Sequence, residues 1–240
     1  MAAPVLSQLE FHSLTLLAVY NKRVLKNCDV RQAFVQSTLP ANEVYFLKPP
    51  PGCPRSGPNQ YWKLIRSLYG LKRAPRIWFD TLCRHLHSLG LRQMAPNSCL
   101  FVGNPVEGGP PIYVGIYVDD IIYFSTCDNV EKKFEESLGN LVSVDFMGQV
   151  SHFLGIEFAW QHHPDGNISV SLTQQSFAEN LIESFGFVNL KASSFATPYR
   201  SGLPIDSIPT EDMPTSQRDA LRLQYQSLVG SIKILLPLGI

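Results

Sequence analysis

Apolar residues recur along this chain in two rhythms. Trp78, Leu82, Leu86 and Leu89 are spaced 4, 4 and 3 apart, which is one face of a helix. Pro75 suits the first turn of that helix and Gly90 its end. A Leu-rich stretch over residues 9–20, ending in Val and Tyr, predicts another helix. Asp128 reads as the cap of a third, whose face is Val130, Phe134, Leu138 and Leu141. Thr173 reads as the cap of a fourth, carrying Phe177, Leu181 and Phe185 and stopped by Gly186.

The second rhythm is that of strands. Residues 24–30 predict a strand and residues 43–47 a shorter one. Residues 112–118 and 121–124 are β-branched and aromatic. They flank Asp119-Asp120 and predict a hairpin with both acids at its tip. Residues 150–160 and 168–172 predict a second hairpin, turning at His163-Pro164-Asp165-Gly166. Pro49-Pro50-Pro51-Gly52 opens a loop that runs to about Asn59. Beyond Lys191 the chain is rich in Ser and Pro to about Ser216 and then helical again, and that tail is expected to be the least ordered part. Strands mixed with packing helices around a central hairpin give an α+β fold class.

Composition sharpens the picture only where it is uneven. With 240 residues and 45% hydrophobic content, the chain can bury a core as one large domain or two small ones. Twenty basic and twenty acidic residues cancel overall. Residues 1–100, however, hold 13 Lys/Arg against 4 Asp/Glu, while residues 101–240 hold 7 against 16. No acid lies between Glu43 and Asp80, an interval containing Lys48, Arg55, Lys63, Arg66, Lys72, Arg73 and Arg76. A basic half joined to an acidic half suits a protein that holds phosphates with one and metal ions with the other. An ordinary solvated basic face would read the same way. No apolar run approaches the roughly 18 residues of a membrane span, and the first residues do not form a secretory signal. Five scattered cysteines without a C-x-x-C suggest neither a disulfide framework nor a zinc site, and fit a reducing compartment.

Asp119-Asp120 is the most informative pair. Two adjacent aspartates repel, and their flanks are apolar on both sides. A charge against such surroundings is costly, and a bound divalent cation would offset that cost. One or two carboxylates plus substrate phosphates are the usual Mg²⁺ arrangement. Asp29, at the end of a predicted strand and just before Ala33-Phe34, is a third candidate. Each acid alone also fits an exposed turn or strand end. His162-His163 lacks partners at ligand spacing and reads as a polar loop.

Taken together, the motifs resemble those of reverse transcriptases from Ty1/copia-type LTR retrotransposons. Residues 29–34 (DVRQAF) resemble the family's D-V-x-x-A-F motif. Residues 67–78 (SLYGLKRAPRIW) resemble its S-L-Y-G-L-K-Q-A-P-R-x-W segment. Residues 117–120 match its Y-V-D-D box, and residues 153–157 (FLGIE) its F-L-G-I-E segment. Pro49 to Gly52 resemble the family's P-P-G, and residues 225–230 (YQSLVG) its late Y-x-x-L-V-G. These occur in family order over about residues 4–232.

That resemblance implies a polymerase palm, a ferredoxin-like antiparallel sheet with packing helices, joined to partial fingers and the start of a thumb. It divides the chain into residues 1–173 as palm and partial fingers, and 174–240 as thumb start and linker toward an RNase H region. It implies RNA-directed DNA polymerase activity with two Mg²⁺ ions, Mn²⁺ being a substitute. Asp29 and Asp119 would be the main metal ligands and Asp120 the third acid. Phe34, Ala33 and Lys72 would bind the nucleotide, with the Phe34 ring disfavouring a 2′-hydroxyl. Tyr69, Gly70, Arg73, Pro75 and Arg76 would meet the template, Tyr117 and Val118 the primer terminus, and Phe153, Leu154 and Gly155 would form the turn that grips the primer. Partners would be an RNA or DNA template with primer, dNTPs, and either the RNase H and integrase regions of a longer polyprotein or a second chain. The implied setting is cytoplasmic, in a virus-like particle, with a nuclear phase as the alternative and no membrane.

The chain also departs from the family pattern. Arg73 stands where Gln is usual. Where the family shows F-x-M-K-D-L-G, residues 144–148 (VDFMG) keep Gly148 and lose the Lys. The upstream K-A-R-L-V stretch is missing, and the last ten residues leave the pattern. The chain therefore reads as a truncated piece of a polyprotein, and a catalytically inactive remnant that only binds nucleic acid is the competing expectation. An unrelated ferredoxin-like RNA-binding domain ranks lower, because acids stand where such sheets carry aromatics.

Overall fold

A computed structural model describes residues 3–53, 59–186 and 214–235. The Ser- and Pro-rich stretch falls outside these up to residue 213. Two compact units are present: residues 1–153 with 159–171, and residues 154–158 with 172–240.

The first unit is built on a six-stranded antiparallel sheet. Its strands are β1 (Lys26–Val30), β4 (Leu91–Gln93), β5 (Leu100–Gly103), β6 (Ile112–Tyr117), β7 (Asp120–Ser125) and β8 (Val144–Gln149), in the order β4-β5-β6-β7-β1-β8. A separate two-stranded sheet pairs β2 (Phe46–Leu47) with β3 (Trp62–Lys63). The α+β class is observed.

Helix α1 (Gln8–Tyr20) opens with a capping box: Ser7 Oγ accepts from the Glu10 amide, and the Glu10 carboxylate accepts from Ser7. Leu14 and Ala18 are wholly buried. The helix lies close to β6 because Gly115 has no side chain; a Cβ there would come within 3.0 Å of Leu14. Helix α3 (Ala74–Ser88) buries Ile77, Trp78, Phe79, Leu82 and Leu86, as its periodicity predicts. Each such side chain contributes about 1.5–3 kcal/mol. Gly90 ends it in the left-handed conformation, φ 78°, its amide donating to the His87 carbonyl at 3.0 Å.

Helix α4 (Asp128–Leu141) packs Val130, Phe134 and Leu138 into the core, while Leu141 is exposed. Its cap differs from expectation. The N-cap is Cys127, with no side-chain bond, and Asp128 is the first helical residue, paired with Arg23. Glu131 is also inside, and the Ser125 amide donates to it at 2.8 Å. Lys26 Nζ lies 2.8 Å from its carboxylate and Arg23 3.5 Å. A buried acid is held there by two cations from the start of β1 and the loop before it.

Other boundaries also move. The predicted strand at 43–47 is only Phe46–Leu47, because the Glu43 amide closes a turn onto Pro40 O. The predicted strand at 150–160 is broken. Strand β9 (His152–Phe153) is followed by a two-residue turn, Leu154 at φ 52° and Gly155 at φ 76°, before β10 (Ile156–His162). Strand β11 (Ile168–Thr173) follows a turn closed by the His163 amide on Asn167 O. In the second unit, helix α5 (Gln175–Ser184) begins one residue later than expected, with Thr173 Oγ1 accepting from the Gln175 amide. Helix α6 (Thr215–Leu235) matches the late helical expectation and faces Ser184 and Phe185 with Leu221, Tyr225 and Leu228.

Candidate active site

Strand register assembles the acids. Asp29 on β1 pairs with Asp120 on β7 on one side and with Asp145 on β8 on the other. Across the hairpin, Tyr117 on β6 pairs with Asp120, so Asp120 is the first residue of β7 and not at the tip. The tip is Val118-Asp119.

The turn is held in an unusual state. Val118 has φ 58°, a left-handed conformation that is a true outlier for a β-branched side chain. Both carbonyls of the turn are gripped. Trp78 Nε1 donates to Val118 O at 2.5 Å, and the Val30 amide donates to Asp119 O at 3.0 Å. Helix α3 and strand β1 thus each fix one peptide of the turn that carries Asp119. Strain held by its surroundings is typical of functional positions.

Electrostatics marks the same place. Burial, then Asp119 and Asp29, push the Asp120 carboxyl up to about 6. Asp29 is also raised, by burial first and then by Asp119 and Asp145. The acids therefore resist ionising together, which a cation would relieve. Among the described residues, no group of three or more His, Cys, Asp or Glu side chains is placed to hold a metal ion. The paired carboxylates of Asp29 and Asp120 would serve a hard ion only together with water and substrate phosphate.

The other expected residues divide. Ala33 is buried at the head of the short helix α2 (Ala33–Gln36), and Phe34 is half-buried with its ring 4.8 Å from that of Tyr69. Tyr117 and Val118 are half-buried beside the acids, while Gly70, with φ 94°, and Lys72 are exposed. Arg73 is ion-paired with Glu43 at 2.7 Å. Arg76 is paired with Asp80 at 2.9 Å over the Phe79 ring, next to the half-buried Pro75 in the first turn of α3. Phe153 is buried and stacked on Phe11, whereas Leu154 and Gly155 form the tight turn that follows.

Three contributors were not anticipated. Trp78 reads in sequence only as a core position. Asp145 and Arg31 are the others: Arg31 donates to the Asp145 carboxylate from both Nε and Nη2. Their one sequence signal is the lost Lys at residues 144–148.

Comparison with known proteins now decides the family. The model of the reverse transcriptase (RNA-dependent DNA polymerase) family matches residues 1–200. The chain belongs to the reverse transcriptase family. It is 27% identical, over 97% of its length, to the retrovirus-related Pol polyprotein from transposon RE1 of Arabidopsis thaliana, of which it spans 15%. It is 29% identical, over 85% of its length, to the putative transposon Ty5-1 protein of Saccharomyces cerevisiae, spanning 61% of that protein. It is 27% identical, over 89% of its length, to a truncated transposon Ty1-A Gag-Pol polyprotein of the same yeast, spanning 17%. The recognised resemblance to Ty1/copia-type polyproteins stands, and the chain covers less than two thirds of each of these relatives. The family to which it belongs is that of RNA-dependent DNA polymerases. No helix among its described residues is long and apolar enough to cross a membrane.

Proposed function

We propose that this chain extends a primer on an RNA or DNA template with dNTPs, using Asp29, Asp119 and Asp120 as ligands of two divalent ions. The observation that carries the reading is the pairing of Asp29 on β1 with Asp120 on β7, next to Asp119 in the β6–β7 turn, with Asp29 and Asp120 both raised by burial first and then by acidic neighbours. Such ions, when bound, activate the primer hydroxyl and stabilise the leaving pyrophosphate. The chain's own residues supply position. Trp78 and Val30 fix the turn bearing Asp119, and β1 fixes Asp29 beside Asp120. Phosphoryl transfer depends mainly on such positioning and charge neutralisation.

In this reading the six-stranded sheet with α3 and α4 is the palm, β2 and β3 belong to the partial fingers, and residues 174–240 begin the thumb. Phe34, backed by Tyr69, would lie under the incoming sugar, with Ala33 and Lys72 nearby. Tyr69, Gly70, Pro75 and the paired Arg73 and Arg76 would face the template. Tyr117 and Val118 would meet the primer end, and the Leu154-Gly155 turn after Phe153 would hold the primer. RNase H, integrase or a second chain would complete the assembly.

The test is Mg²⁺- and Mn²⁺-dependent extension of a DNA primer on an RNA template, wild type beside Asp119→Asn. Extension by wild type alone supports the proposal. Primer–template binding without extension would replace it with the inactive remnant.

A further inference from the structure

Asp145 poses a problem for the site just described. It is the strand partner of Asp29 on the side away from Asp120, so a fourth carboxylate borders the three acids. It contributes to the raised carboxyl of Asp29. Left free, it would offer a divalent ion a competing seat against Asp29, since bridging carboxylates and open water positions suit hard cations. The structure does not leave it free. Arg31, two residues beyond Asp29, takes both Asp145 oxygens in a two-pronged grip from Nε and Nη2. That planar fork matches a carboxylate in a way a Lys ammonium does not.

The grip is itself braced. The Arg31 amide donates to the carbonyl of Ser143, two residues before Asp145, at 3.0 Å. Gln36 ties the same two segments, its amide group donating to the carbonyls of Arg31 and Ser143 while its oxygen accepts from the Ser143 amide at 2.7 Å. An exposed ion pair is ordinarily worth little. Four connections around this one indicate a fixed geometry instead of a passing contact.

We infer that Arg31 is a positioning residue that keeps Asp145 out of the metal site, so that divalent ions are confined to the Asp29–Asp119–Asp120 side of β1. This rests on the proposed function for the identity of the site, but its main readout is ion binding and not turnover. Arg31 touches no reacting atom. It acts by occupying Asp145, which makes an acid on the site's border inert.

The experiment counts Mn²⁺ bound to the full chain without nucleic acid, by electron paramagnetic resonance of free Mn²⁺, for wild type, Arg31→Gln, Asp145→Asn and the double variant. Primer extension is run in parallel. Arg31→Gln is expected to bind Mn²⁺ roughly tenfold tighter, the effect of one unbalanced charge facing a divalent ion at a few ångströms in water-like surroundings, or to bind one additional ion. Its extension should fall. Asp145→Asn in the same chain should return both binding and extension toward wild type, because the pair is then removed as a unit. A merely structural role for Arg31 predicts no rescue by a second substitution. Unchanged Mn²⁺ binding in Arg31→Gln, or a gain that Asp145→Asn does not reverse, overturns the inference. Absence of extension in every chain, wild type included, would count against the proposed activity, while the Mn²⁺ titrations would still decide the role of Arg31.

Discussion

The left-handed Val118 invites a substitution whose sign runs against the usual rule. Glycine normally destabilises a fold by about 0.5–1 kcal/mol relative to alanine, because the unfolded chain gains freedom. At Val118 the backbone has φ 58°, where an L-residue is strained by about 1–2 kcal/mol and glycine is not. Val118→Gly and Val118→Ala both lose the valine methyls, so their lost packing nearly cancels in the comparison. The remaining difference is the relief of strain less the chain entropy, about 0.5–1 kcal/mol in favour of glycine. For a chain of this size that is about 2 °C in Tm. Urea unfolding in the presence of a chelator, with equal slopes for the two variants, measures it directly. In extension assays the order should reverse, glycine falling further below wild type than alanine, because a relaxed turn no longer presents Asp119 in one place. An alanine variant as stable as the glycine variant, or more so, would refute the claim that the turn stores strain.

Other perturbations separate the supports of the site. Trp78→Phe leaves Val118 O without its donor and should lose about 1–3 kcal/mol in urea titration, with extension falling more than stability alone accounts for. Because Asp120 is raised to about 6 from 3.8, the folded state holds its proton where the unfolded state has released it. Ion-free stability should therefore decline from pH 4 to pH 7, by about 1 kcal/mol after allowance for solvent at a half-buried group, and Asp120→Asn should flatten that slope in thermal melts. Glu131→Ala leaves Lys26 and Arg23 only their outer partners, Glu135 and Asp128, and removes the acceptor of the Ser125 amide. A loss of about 3 kcal/mol is expected in the same unfolding assay, at the lower end for a buried pair because both cations are partly exposed.

Sequence patterns revealed the elements with strong periodicity and missed those formed by distant partners. Helices α3 and α4 were legible because their apolar residues recur on one face, and α1 from its Leu-rich stretch alone. Strands β3, β4, β5 and β8 were not, since two to six residues with mixed burial carry no rhythm of their own. Asp29 and Asp119-Asp120 could be named from motifs, yet only the β1–β7 register places Asp29 opposite Asp120. The position of Asp120 within β7 was misjudged for the same reason: a local reading sees two acids between apolar runs and not the partner strand that decides which one turns. Arg73 and Arg76 read as free cations because Glu43 and Asp80 lie at different sequence distances from them, 30 and 4 residues. Glu131 was not singled out, because the cations that hold it, Lys26 and Arg23, come from more than 100 residues earlier in the chain.

The order β4-β5-β6-β7-β1-β8 has a consequence in time. Strand β1 is the earliest made and lies between two strands that are among the later ones, β7 ending at Ser125 and β8 at Gln149. On a translating ribosome it has no lateral partner until some 90 further residues exist, and no second one until about 120 have been added. At synthesis rates of about 5–20 residues per second the wait is on the order of ten seconds. For that interval the strand bearing Asp29 is an unpaired edge, open to holdase chaperones and to the same strand on neighbouring nascent chains. Nascent chains arrested before Ser125 should therefore remain protease-sensitive across residues 26–30, and the acidic site should come into being only when β7 emerges to pair with a strand made some 90 residues earlier.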